Sequence, residues 1–214
     1  MKLLPPVVVA LALALFSHSS VAQDDPRSPN RQLVAAMRAG DAALIKRLLD
    51  AGADINTRNR TGDTLLFGAA RKNNQALFDL AIERGADVTL ENTARMTPLM
   101  AAAFNGNVKM LDELLKRGAK TAGFDKAGRT ALIYAAGNAQ LDAVARLLAA
   151  NAAVDEVGHN ELTAMMWAAG QGHLSVVTAL LAAGASKDNR DDRGKTAADM
   201  AAEAGHKIIV ERLR

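Results

Sequence analysis

The 214-residue sequence contains no cysteine. That excludes disulfides, a thiolate nucleophile, thiolate-ligated zinc or iron–sulfur centres and lipoprotein acylation. Aromatic residues are almost as scarce at 3% of the chain: five Phe, one Tyr and one Trp. A core with so few rings must be built from small aliphatic side chains, and the abundant alanine points to close-packed helices. An excess of one charge is missing too. The 26 basic and 23 acidic residues leave a formal charge of +3, too balanced to be a nucleic-acid footprint by itself. The apolar run Leu3–Phe16 falls short of the ~20 residues that a membrane-spanning helix needs. What is present, 50% hydrophobic and 23% charged residues, is the balance of a folded chain of one large domain or two small ones.

The N-terminal segment reads as a targeting signal. Lys2 gives a positive start, Leu3–Phe16 is uncharged and apolar, and Ser20-Val21-Ala22 ends in small residues. That order predicts a secretory signal peptide over 1–22, cleaved after Ala22, and a periplasmic or secreted product. Pro5-Pro6 and the serine-rich exit argue against a buried core helix. Residues 23–30 are polar with two prolines and read as a flexible lead-in, although Ser28-Pro29 has the chemistry of a helix start.

The remainder is periodic. Thr64, Thr97, Thr130, Thr163 and Thr196 are spaced by 33 residues. Gly52, Gly85, Gly118 and Gly184 keep that period, with Asn151 in the missing place, and Gly40, Asn73, Gly106, Ala139, Gly172 and Gly205 form a third register. Alanine pairs (Ala69-Ala70 to Ala201-Ala202) and large apolar pairs (Leu48-Leu49 to Leu180-Leu181) recur with them. Each register has a physical role. The threonine caps a helix, the alanines let helices approach closely, and the mid-unit glycine ends the first helix in a left-handed turn. Val108, Leu111, Leu114 and Leu115 make an apolar stripe on the second helix, and Gly-Ala-Asp opens a turn-rich finger.

This pattern resembles the ankyrin repeat over roughly 31–214, most closely at Met96-Thr97-Pro98-Leu99 and at Gly172-His173-Leu174 with Leu180-Leu181. The resemblance implies an all-α fold, an ankyrin-repeat solenoid of about six helix-turn-helix units with β-turn or hairpin fingers. The units are 31–58, 59–91, 92–124, 125–157, 158–190 and 191–214. Four of five units lack the family's proline. Arg95 and Glu161 stand where other fingers have glycine, so those two fingers are expected to turn differently.

No catalytic constellation is found. Gly194-Lys195-Thr196 lacks the earlier glycine of a phosphate-binding loop. Asp188, Asp191 and Asp192 are interrupted by Arg190 and Arg193 and lack the closing glutamate of a calcium loop. His173 and His206 lie one period apart, too far to share a metal ion, and read as turn histidines bonded to backbone. Tyr134 and Trp167 occupy matching places and are expected to be partly buried.

Stacking does not need the finger tips or the open faces of the first helices. In the ankyrin family these commonly form a concave binding surface. Carried onto this chain, the partner-binding candidates are Arg58, Arg60, Arg71, Arg95, Met96, Phe104, Phe124, Lys126, Arg129, His159 and Leu162. Exposed Met and Phe framed by Arg are typical interface material. The expectation is a monomeric, non-enzymatic module without cofactor or metal. Its partner is another protein rather than nucleic acid, and it is not inserted in a membrane once the leader is removed. The alternatives are an enzyme acting on cell-envelope material and a polyanion binder using the basic first finger.

Overall fold

The computed structural model describes residues 27–214; the expected signal peptide and most of the lead-in lie outside the described residues. The described chain is helical, with twelve α-helices and no strand among the described residues. It falls into two compact units divided after Asp54.

The first unit holds α1 (Pro29–Ala39) and α2 (Ala42–Asp50). Ser28 accepts from the Arg31 amide and Pro29 occupies the first turn, so the helix takes in the last two residues of the expected lead-in. Asp41 caps α2 by accepting from the Leu44 amide at 2.9 Å. Leu33, Ala36, Ile45, Leu48 and Leu49 are buried on the facing sides of the pair, the i, i+3, i+4 pattern of an amphipathic helix.

The second unit, Ile55–Arg214, contains α3 (Leu65–Arg71), α4 (Gln75–Glu83), α5 (Pro98–Asn105), α6 (Val108–Lys116), α7 (Ala131–Gly137), α8 (Leu141–Ala149), α9 (Ala164–Gly170), α10 (Leu174–Ala182), α11 (Ala197–Glu203) and α12 (Lys207–Leu213). The odd-numbered helices pack side by side as an inner layer, and each packs on the helix that follows it. α6, α8, α10 and α12 form successive contacts in an outer layer. Every inner helix starts at its threonine: Thr64, Thr97, Thr130, Thr163 and Thr196 each accept from the amide three residues on. The alanine pairs of α3, α5, α7 and α9 are fully buried, which lets these helices approach closely. Larger side chains such as Phe67, Phe78, Leu111 and Leu147 fill the space between the layers.

The turn between paired helices is left-handed whatever residue occupies it. Gly106 has φ 66°, and Asn73 and Ala139 adopt φ 53° and 58°. Asn tolerates this region. Ala139 has no such allowance, and it adopts φ 58° because the helices on both sides are held by packing.

The fingers are loops. Five-residue turns are closed by the amides of Asn59, Asn92, Asp125, Gly158 and Asp191 bonding to carbonyls four residues on, at 2.9–3.2 Å. Neighbouring tips are joined by single backbone bonds, Thr93 N to Thr61 O and Lys126 N to Ala94 O at 2.9 Å, and Asp192 N to Asn160 O at 3.1 Å.

Candidate functional site

The finger geometry depends on a second side-chain register, distinct from the finger glycines. Asn59, Asn92, Asp125 and Asp191 share a 33-residue register. One side-chain oxygen of each accepts from the backbone amides two and four residues later, at 2.8–3.0 Å. This internal cap satisfies donors that the tight turn would otherwise strand. The fourth finger has Gly158 in that place and nothing to accept with. There the chain forms a short 3-10 turn at His159–Glu161, with Asn160 and Glu161 at φ 63° and 57°. The finger containing Arg95 keeps the common form, because Arg95 takes the same left-handed φ, 61°, as the glycines it replaces. Of the two fingers expected to differ, only one does, and the cause is Gly158 rather than Glu161.

Three fingers carry buried carboxylates, each facing an arginine. Asp63 accepts from Thr61 Oγ1 and Asn92 Nδ2 at 2.9 Å, with Arg71 at 3.7 Å. Asp191 binds Arg193 at 2.7 Å. Burial acts to raise the Asp191 carboxyl, but the Lys195 amide and the Arg193 side chain outweigh it and hold it below the usual range.

Asp125 organises the middle of the face. Its Oδ1 takes the amides of Ala127 and Arg129, and its Oδ2 accepts from the Tyr134 hydroxyl at 2.5 Å and faces Arg129 Nη2 at 3.4 Å. The Arg129 guanidinium lies 4.7 Å from the Tyr134 ring centroid, a cation–π distance. Phe104 meets the same ring edge-on at 6.0 Å and 73°. Tyr134 is 6% exposed while Phe104 is 46% exposed. Expected partial burial therefore holds for Trp167 but not for Tyr134, whose hydroxyl has a buried acceptor to reach.

Burial, then the bond to Asp125, push the Tyr134 phenol well above its ordinary value. A raised phenol stabilises the fold up to the ordinary value of about 10 and loses that contribution as pH rises through its folded value. Tyr134 is the single tyrosine. Phenolate absorbance should therefore stay flat past about pH 10 and rise only with alkaline unfolding. A simple titration centred near that value in the folded protein would refute the buried Asp125–Tyr134 bond.

The structure sorts the sequence candidates. Arg58, Arg60, Arg71, Arg95, Phe104, Lys126 and His159 are exposed. Met96, Phe124, Arg129 and Leu162 are half-buried. Arg129 is a structural partner of Asp125 more than a free binding group, and its Nε is buried without a hydrogen-bond partner. Arg71 does double duty, facing Asp63 and lying 5.6 Å from the Phe67 ring. Arg95 pairs with Glu91 at 3.5 Å. Arg71 and Phe104 hold the same place at the ends of α3 and α5, and Gly137 and Gly170 hold it on α7 and α9. Those glycines leave a side-chain-free shelf beside half-buried Trp167.

The other motifs settle into structural roles. Thr196 caps α11 in a box with Asp199, and His173 Nε2 lies 3.1 Å from the Gly137 carbonyl. No group of three His, Cys, Asp or Glu residues suited to a metal ion occurs among the described residues, and no helix there is long and apolar enough to cross a membrane. An open groove of about 670 Å³ lies between α4 and α6, away from the fingers. Its Asp79 is paired with Lys109 at 3.0 Å.

Comparison with curated protein sequences returns no match. The family model described as "Ankyrin repeats (3 copies)" matches residues 33–122, 66–158 and 132–214. Together these spans cover the threonine-capped inner helices, the left-handed turns and the fingers, and the chain belongs to the ankyrin-repeat family.

Proposed function

We propose that this chain is a non-catalytic protein-binding module of about six repeat units, exported to the periplasm or cell exterior, that grips a partner protein with its fingers and inner helices. Ankyrin repeats generally mediate protein–protein interaction, and such domains are typically non-catalytic. The observation that carries the reading is Phe104. It is a large apolar side chain, 46% exposed, standing on the rigid Tyr134–Asp125–Arg129 cluster beside the shelf of α7 and α9. An exposed aromatic held in one orientation costs little entropy to bury and suits an interface anchor.

Phe104→Ala is expected to weaken partner binding by about 2 kcal/mol, roughly thirtyfold, while thermal unfolding moves little. Once a partner is captured by affinity purification from the exported fraction, titration calorimetry and melting of the variant decide this. Retained affinity with a sharply lowered melting temperature would mean that Phe104 is core. A partner enzyme that is inhibited, protected or assembled by the module fits this mode of action.

Export is supported by Lys2, the Leu3–Phe16 run and Ser20-Val21-Ala22. N-terminal sequencing of the exported protein should begin at or within a few residues of Gln23. Uncleaved chain confined to the cytoplasm would disprove it.

A further inference from the structure

We propose that fingers 59–63, 92–96 and 125–129 receive an extended acidic segment of the partner, with its carboxylates on Arg60 and Lys126 and one apolar side chain on Phe104. The inference rests on the binding reading above and adds the chemistry of the occupant.

Charge bookkeeping across these fingers is one-sided. Asp63 and Asp125 are buried and already face Arg71 and Arg129. Glu91 is taken by Arg95. Arg60 and Lys126 occupy the same place on fingers two units apart, are exposed, and form no ion pair among the described residues. Lys72, at the end of α3, is in the same condition. The surface therefore presents cations whose charge nothing on it neutralises. The later fingers differ, because exposed Asp188 and Asp192 stand among Arg190 and Arg193. The first three fingers therefore offer an acidic chain unpaired cations, whereas the last offers cations interleaved with exposed carboxylates.

Finger and inner-helix residues form one continuous surface. Arg71 reaches back to Asp63, and Arg129 covers the ring that Phe104 touches. Helix layers stack at 8–10 Å, so Arg60 and Lys126 lie roughly 16–20 Å apart. An extended chain rising ~3.3 Å per residue spans that gap in about five or six residues. The preferred segment has two acidic positions so separated and an aromatic or aliphatic residue near the second. A nucleic acid would use the same cations through its phosphates and is the competing occupant.

Arrayed dodecapeptides of varied sequence, probed with the purified chain, provide the test. A dodecathymidylate serves as the comparison polyanion. The wild type should select peptides with spaced Asp or Glu around an apolar residue. Arg60→Glu and Lys126→Glu should each weaken those peptides by about tenfold and leave melting unchanged. Phe104→Ala should weaken them independently of salt. Selection of apolar peptides without acidic bias, lost in Phe104→Ala but unaffected by charge reversal, overturns the acidic occupant and leaves the binding face standing. Peptide binding that none of the three variants reduces, or no selection at all, overturns both. Dodecathymidylate bound as tightly as the best peptide and indifferent to Phe104 overturns the proposal in favour of polyanion binding.

Discussion

Asp125→Ala should remove about 3–5 kcal/mol of stability, the usual consequence of deleting one partner from a buried ionic network. The residue is 4% exposed, and four groups lose their acceptor at once: the amides of Ala127 and Arg129, the Tyr134 hydroxyl and the Arg129 guanidinium. The two amides cannot turn to water without opening the finger, and the finger is bonded to its neighbour through Lys126 N and Ala94 O. Asp125→Asn keeps an oxygen for the amides but removes the charge that Arg129 faces. Its loss should be intermediate, about 1–2 kcal/mol. Urea unfolding followed by circular dichroism measures both. Two variants within about 0.5 kcal/mol of wild type would show that the cluster is decoration, since that is the range of ordinary surface substitutions.

Gly158→Ala should cost about 2–3 kcal/mol and lower the melting temperature by roughly 4–12 °C in a chain of this size. The reason is steric. Gly158 has an ordinary φ of −87°, so alanine suits its backbone. A Cβ there would fall inside the envelope of the Gly128 carbonyl and 2.8 Å from its carbon. Both atoms are backbone, so relief requires the third and fourth fingers of the second unit to part. Gly68→Ala is the contrasting case. Gly68 lies within α3, and an added Cβ would meet nothing within 4 Å. That variant should be more stable by up to about 1 kcal/mol, through helix propensity alone. If the two variants melt alike, the close finger contact at Gly158 is wrong.

The fold was legible because its instructions are local. A threonine three residues before an amide needs only its own turn to form a cap, and all five do. The site was legible only in outline. Arg60, Lys126 and Phe104 stand exposed as the repeat pattern implied, whereas Arg129 and Tyr134 do not, because each is claimed by Asp125. The register Asn59, Asn92, Asp125, Asp191 was available at the same 33-residue period. The finger glycines are the more conspicuous signal at that period, and the gap in the Asn/Asp register at Gly158 marks the finger that departs.

Helix starts, the left-handed turns, the alternation of inner and outer helices and the family follow from residue order alone. These depend on hydrogen bonds and apolar spacing within one unit, repeated. Which finger residues remain exposed is set by packing between units. That depends on how closely one finger lies over the next, as at Gly128 and Gly158, and on which buried carboxylate a given arginine reaches. Those are distances between residues of different elements. A 33-residue period places such residues in matching positions, but a side chain's partner is chosen by packing and desolvation across the gap between units.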